Sequence, residues 1–213
     1  MGPKERRTRE REETRSRILD AAREMFVQDG IEAVTMREIA KRIEYTPTAI
    51  YHHFRDKQAL IEELCLIDFR GLAQAFQKIG RIEDPIERVR RIGLVYMDYA
   101  LEHPSHYRFM FMTPKPLLPA SSFGISDSEP DTHAYSVLRS TVAEGIAQGR
   151  FRPEFTDADE LAQVLWSGVH GIVSLQIVKG GKGEHIAWCD PRETGRAMLD
   201  VLMRGTLRTP TKG

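Results

Sequence analysis

Residues 35–57 read TMREIAKRIEYTPTAIYHHFRDK, and this stretch decides the fold. Thr35 is a good helix cap, and Glu38 stands three residues on, so Thr35-Met36-Arg37-Glu38 fits a capping box. Met36, Ile39, Ala40 and Ile43 recur at helical spacing and form one stripe to be buried. Glu44-Tyr45-Thr46 breaks that period. Thr46 can then cap a second helix with Pro47 at its first position, where a missing N–H leaves no bond unmade. Ile50 and Phe54 mark its inward face, and Thr48, Ala49, Tyr51, His52 and His53 are directed elsewhere. Two short helices joined by a tight turn suit a helix-turn-helix, whose second helix can enter a DNA major groove.

The string Thr35-x-x-x-Ile39-Ala40, Tyr45-Thr46, Ile50-Tyr51-His52-His53-Phe54, Lys57 and Leu60 resembles the DNA-binding segment of TetR-type transcriptional regulators, over about Arg15 to Leu64. Glu44 departs from the family pattern, which usually has Gly in the turn. A Glu at positive φ costs about 1 kcal/mol relative to Gly, so a local difference in the turn is expected.

The resemblance implies a set of DNA contacts. Thr35 and Arg37 would meet the backbone through a helix N-terminus and a charge. Tyr45, Thr46, Pro47, Thr48 and Ala49 would lie at the tip of the recognition helix, where base edges are read. Tyr51, His52 and Lys57 look like phosphate donors, and His53 lies at the edge of that surface. Packing against the first helix is the competing reading for Tyr51, and Phe54 reads as core. Thr48 and Ala49 are small enough to touch a thymine methyl. No central Arg or Asn reads G or A bidentately, so specificity is expected to rest partly on DNA shape and on Arg37 or the N-terminal arm.

In the 213-residue chain 31 Lys and Arg balance 31 Asp and Glu, which argues against a non-specific nucleic-acid coat but not against a local basic surface. Cys65 and Cys189 stand far apart without ligand-like partners, which fits a reducing compartment and ordinary thiols rather than a disulfide. The N-terminus is charged, so no secretory signal is read there. Leu161 to Val178 just reaches membrane-spanning length, but Gln163, Ser167, His170, Ser174 and Gln176 interrupt it. A helix buried on most of its sides in protein is the expectation, in a soluble, cytoplasmic chain.

Residues 1–13, where Lys4, Arg6, Arg7, Arg9 and Arg11 outnumber Glu5 and Glu10, read first as a disordered, solvated basic arm; the competing reading is that the arm adds phosphate or minor-groove contacts. A first helix then starts at Thr14 or Ser16 and is closed by Gly30. A helix-turn-helix domain is assigned to 14–65, a helical ligand-binding and dimerisation domain to 66–206, and a tail to 207–213. The long helix from Asp56-Lys57 to near Gly80 contains the boundary, near Leu66, and could carry a movement along the molecule. Helices follow from Asp84-Pro85, over Ser105–Met112, over His133–Gln148, from Thr156-Asp157 to Val178, and from Asp190-Pro191 to Gly205. Thr113 to Asp131 reads as a lid-like loop. No strand pattern or repeat appears. The expected fold is all-α: an N-terminal three-helix DNA-binding head linked by a long helix to a larger helical ligand-binding and dimerisation domain.

Tyr96, Tyr99, His103, His106, Tyr107, Phe109, Met110, Trp166 and His170 form a lining suited to a small, largely apolar or aromatic effector, with simple core filling as the bland reading for each. Trp166-Ser167-Gly168-Val169-His170-Gly171 resembles a tryptophan–histidine–glycine signature in the C-terminal domains of one group of these regulators. Gly168 and Gly171 cost a helix roughly 1 kcal/mol each against Ala, which close helix approach at a subunit interface would explain. No metal is expected: Pro104 separates His103 from His106, and His170 joins them only if the fold brings it close. No cofactor and no enzymatic motif is read. The expected function is a ligand-responsive, homodimeric transcriptional regulator, a repressor released from a palindromic DNA operator by its effector. The alternatives are a helical small-molecule-binding protein and a constitutive DNA-binding dimer without effector control.

Overall fold

A computed structural model describes residues 2–116, 118–119, 121, 133–180 and 186–208. Among the described residues the helices are α1 (Pro3–Asp29), α2 (Met36–Arg42), α3 (Pro47–Tyr51), α4 (Lys57–Gln77), α5 (Pro85–Glu102), α6 (Pro104–Phe111), α7 (Ala134–Ala147), α8 (Ala158–Lys179) and α9 (Pro191–Thr206). The all-α expectation holds, and the one β pairing there is an isolated antiparallel bridge between Phe151 and Leu207. Most of the expected lid-like loop, and 209–213 of the tail, lie outside the described residues.

Short polar side chains set the helix starts. Asp84 accepts from the Ile86 N–H at 2.9 Å, Asp157 from the Asp159 N–H at 2.8 Å, and Asp190 from the Arg192 N–H at 2.9 Å. α1 begins without such a cap, at Pro3 rather than at Thr14 or Ser16, so residues 3–13 are helical where a disordered arm was expected. Glu5 accepts from the Gly2 N–H at 2.8 Å, and Arg6–Glu10 and Arg9–Glu13 pair one turn apart at 3.5 and 3.3 Å. Such i,i+4 pairs support a solvated helix that has nothing to bury.

The chain forms two compact units. The first takes its described residues from Met1–Phe69 and Ser105–Gly124, so α6 packs with the head. Its core joins Ile18, Ala22 and Phe26 of α1 to Ile39 and Ala40 of α2, Ile50 of α3 and Leu60, Leu64 and Cys65 of α4. Phe109 of α6 is fully buried in the same core and stacks on Phe26 with ring centres 6.2 Å apart. The Cys65 thiol is pushed up to about 11, chiefly by burial, whereas Cys189 is exposed.

A buried charge cluster closes this unit. Asp68 is fully buried and receives Arg23 Nε at 3.0 Å and Nη2 at 2.8 Å, and His106 Nδ1 stands 2.9 Å from its Oδ1. Burial opposes the Arg23 charge, but its bonds to Asp68 and then Asp20 outweigh it and raise the guanidinium's pKa.

The second unit takes its described residues from Arg70–Pro104 and Ile125–Gly213, with α5, α7, α8 and α9 packed on one another. Gly168 lets α8 approach α9 closely, because a Cβ there would run into Leu202 and stand 3.4 Å from Met198 Cγ. α8 is long and apolar enough to cross a bilayer. It buries Leu161, Ala162, Leu165, Val169 and Val173 within the chain and leaves Val164, Leu175 and Val178 exposed. Burial on most sides therefore does not hold in a single chain, where α5, α7 and α9 cover one side only.

Replacing Asp68 by Ala leaves the buried Arg23 with the largely exposed Asp20 as its remaining acidic partner and should lower the unfolding free energy by about 3 kcal/mol in urea denaturation. The double change Arg23→Met/Asp68→Leu should recover most of that loss. A single-variant loss below about 1 kcal/mol would show the pair to be incidental.

Candidate nucleic-acid interface and aromatic cluster

The capping box forms as the sequence predicts: Thr35 Oγ1 accepts from the Glu38 N–H at 3.3 Å and Glu38 Oε2 from the Thr35 N–H at 2.7 Å. The side-chain and backbone bonds from Thr35 hold the Glu38 carboxyl below its usual range. α2 ends in a Schellman turn, with the Tyr45 N–H bonded to Ala40 O at 2.9 Å and the Glu44 N–H to Lys41 O at 3.2 Å. This motif needs a left-handed residue, and Glu44 supplies it at φ 61°. The turn therefore keeps the geometry that Gly would give, with a Glu in it.

Thr46 restarts the helix by accepting from the Ala49 N–H at 3.3 Å, while Ile50 is buried beneath. Thr35, Arg37, Thr46, Pro47, Thr48, Tyr51 and His52 are exposed, and Ala49 is partly so. Tyr51 is 51% exposed, too open for a ring fully packed on α1. Tyr45 is half-buried, with the Arg17 guanidinium 5.3 Å from its ring centre.

Lys57 has a structural task that the sequence did not suggest. Its ammonium donates to Ile31 O at 2.9 Å and Val34 O at 3.1 Å, tying the loop between α1 and α2 to the start of α4. Two of its three donors are used inside the protein. His53 sits just beyond α3, with its carbonyl accepting from Arg15 Nη1 at 3.0 Å and its Nδ1 buried without a hydrogen-bond partner. Burial first, then the charges of Arg11, Arg15 and His52, push its pKa below the ordinary range. Arg15 also grips Glu63 and lies 4.4 Å from the Phe54 ring centre. Arg15, Arg17 and Glu63 escaped the sequence reading because their partners are distant in the chain.

The proposed effector lining divides between the units. His106, Tyr107, Phe109 and Met110 belong to the first; Tyr96, Tyr99, His103, Trp166 and His170 belong to the second. Within the second unit, Tyr96 OH and His170 Nδ1 are 2.8 Å apart, and Trp166 meets His170 edge-on at 5.6 Å. Tyr135, absent from the sequence reading, extends the cluster at 6.2 Å from Trp166, and its hydroxyl donates to Asp159 Oδ1 at 3.0 Å. Burial lowers the pKa of His170, which favours the neutral ring beside Tyr96. Tyr99 and His103 form a further ring contact at 4.8 Å. Among the described residues no three His, Cys, Asp or Glu are grouped to hold a metal.

Glu44→Gly should stabilise the protein by about 1 kcal/mol, because relief of the left-handed strain exceeds the added freedom of the unfolded chain. Glu44→Ala should give no such gain. Equal urea midpoints for all three proteins would mean that Glu44 is not held at positive φ in solution.

Residues 18–64 match the profile described as bacterial regulatory proteins, tetR family, and residues 89–202 match the tetracyclin repressor-like C-terminal domain. The HTH-type transcriptional regulator UidR of Escherichia coli is 37% identical over 93 residues, 44% of this chain and 42% of that one, so the match spans less than half of this relative. The HTH-type transcriptional repressor KstR2 of Mycolicibacterium smegmatis is 28% identical over 142 residues, covering 66% of this chain and 68% of that one. The crystal structure of the TetR family transcriptional regulator PfmR from Thermus thermophilus superposes with a TM-score of 0.68 at 25% identity, over 91% of this chain and 97% of that one. The C-terminal profile alone covers more than half of the 213 residues. The chain belongs to the TetR family of bacterial regulatory proteins.

Proposed function

We propose that this protein is a homodimeric, cytoplasmic transcriptional repressor that reads a palindromic DNA operator and releases it on binding a small, largely apolar effector. The observation that carries the reading is the exposed α3, started by Thr46 and held on the core by Ile50. It offers Thr48, Ala49 and Tyr51 to a major groove with little side-chain bulk at the tip. Arg37 and the α2 N-terminus at Thr35 serve as backbone contacts beside it. Lys57 contributes mainly by holding the head's loop in place, with one donor left for phosphate.

Dimerisation would cover the apolar side that α8 leaves open. Val164, Ser167, Gly171, Leu175 and Val178 follow one another three or four residues apart along α8 and form one stripe. A Cβ at Gly171 would meet nothing within 4 Å in the chain, in contrast to Gly168, which serves the contact with α9. Ala197, Val201 and Gly205 continue an exposed small-residue face on α9, with Val201 66% exposed. A second copy laying the same surface against this one gives a four-helix interface of α8 and α9. It sets two recognition helices for half-sites about one helical turn, roughly 34–36 Å, or a multiple apart. In the second unit the Tyr96–His170 pair supplies a polar anchor within rings for an aromatic or apolar ligand.

Fluorescence anisotropy on DNA flanking the protein's own gene, against scrambled DNA of equal length, tests the reading. A specificity ratio of about a thousand or more at physiological salt supports it, and equal weak binding to both counts against it. Tyr51→Phe should weaken binding to both DNAs about tenfold, the worth of one hydrogen bond to a charged oxygen, without shifting the urea midpoint. Val201→Glu should halve the mass seen by light scattering while the helical circular dichroism is kept. A dimer that survives this change would place the interface elsewhere.

A further inference from the structure

The helical start of α1 sorts its charges by face. Lys4, Arg7 and Arg11 recur at three- and four-residue spacing and run directly into Arg15, Ile18, Ala22 and Phe26, which continue the same stripe. From Ile18 onward that stripe is core, with Ile18, Ala22 and Phe26 fully buried. At Arg15 it touches the end of the recognition segment, through Arg15 Nη1 to His53 O at 3.0 Å. Before Arg15 the same side of the helix overhangs the folded head and is basic.

The other face is internally balanced. Arg6 pairs with Glu10 and Arg9 with Glu13, while Glu5 closes the helix start on the Gly2 N–H. Glu12 is the one acid of the segment left outside these arrangements, and it flanks the ridge rather than interrupting it. All of Lys4, Arg7 and Arg11 are exposed. The segment 4–11 spans about 10 Å at 1.5 Å per residue. Duplex DNA passes one phosphate per strand in about 3.4 Å of axis, so a ridge of this length faces roughly three phosphates.

We infer that Lys4, Arg7 and Arg11 form a rigid basic ridge that grips the DNA phosphate backbone flanking each half-site, continuing the interface of α3 along α1. This rests on the assignment of α3 as a DNA-reading helix. Arg15, one turn on from Arg11, donates to His53 O at 3.0 Å, which places the inner end of the ridge beside the edge of that interface. Because the cations are carried on a helix joined without a break to the core of the head, their order along the backbone is fixed before DNA arrives. A flexible arm would have to be ordered on binding.

Two double variants with equal change in net charge test the ridge: Arg7→Gln/Arg11→Gln on the basic face and Arg6→Gln/Arg9→Gln on the balanced face. The probe is a duplex of about 40 base pairs enriched from random-sequence DNA by the wild-type protein, and a second duplex cut back to the enriched half-sites. On the long duplex the first variant, which removes two cations from each of the dimer's two heads, should bind at least about tenfold more weakly, and its salt slope should fall by about 3.6, at roughly 0.9 for each phosphate no longer neutralised. The second variant should keep the wild-type slope to within about 0.5. On the short duplex the gap between the variants should close. Equal slopes for the two variants on the long duplex, whether both lowered or both unchanged, would overturn the ridge while leaving the reading of α3 intact. A wild-type protein that enriches no duplex would overturn the reading of α3, and the ridge with it.

Discussion

The first unit depends on the neutralisation of Asp68. A carboxylate with no exposure has lost its hydration, and Arg23 replaces that hydration with two charge-assisted hydrogen bonds at 2.8 and 3.0 Å. Asp68 lies on α4, Arg23 on α1, and His106 on α6 reaches the same carboxylate. Three helices far apart in sequence are thereby held at one point. Apolar packing between Phe26 and Phe109 acts beside it, but rings tolerate sliding and a bidentate pair does not. The register of α1 against α4 is fixed there.

On that base the candidate interface is assembled by small local devices. Thr35 and Thr46 cap helices, the Schellman turn at Glu44 reverses the chain, and Lys57 and Arg15 hold the connecting backbone to α4 and α1. Each uses polar groups to satisfy backbone atoms, so the exposed side chains of α3 remain for a partner. The second unit follows another logic. There Gly168 lets α8 and α9 meet closely, while an apolar stripe on α8 is left for a second surface.

The sequence made local features legible and distant ones illegible, for a physical reason. A cap or a Schellman turn involves residues within five positions, so Thr35, Thr46, Asp84, Asp157 and Asp190 could be read as helix starts directly. The helix start at Pro3 was missed because exposed ion pairs leave no apolar period to see. The packing of Phe109 into the head's core was not legible because contacts to residues far back in the chain decide it. The exposure of Thr48, Tyr51 and His52 was legible through their spacing against Ile50 and Phe54. The roles of Lys57 and Arg15 were not, since a cation looks the same whether it meets a carbonyl, a carboxylate or a phosphate.

The burial of Cys65 has a consequence for chemistry done on the molecule. Its thiol, raised to about 11 inside the head, holds almost no thiolate at neutral pH and lies out of reach of reagents. Cys189 is exposed in the segment before α9, and the chain has no third cysteine. A maleimide dye added to the folded, unaltered protein is thus directed to one position in the second unit. The native chain already carries a selective attachment point for a fluorophore or spin label, well away in sequence from every residue proposed to touch DNA.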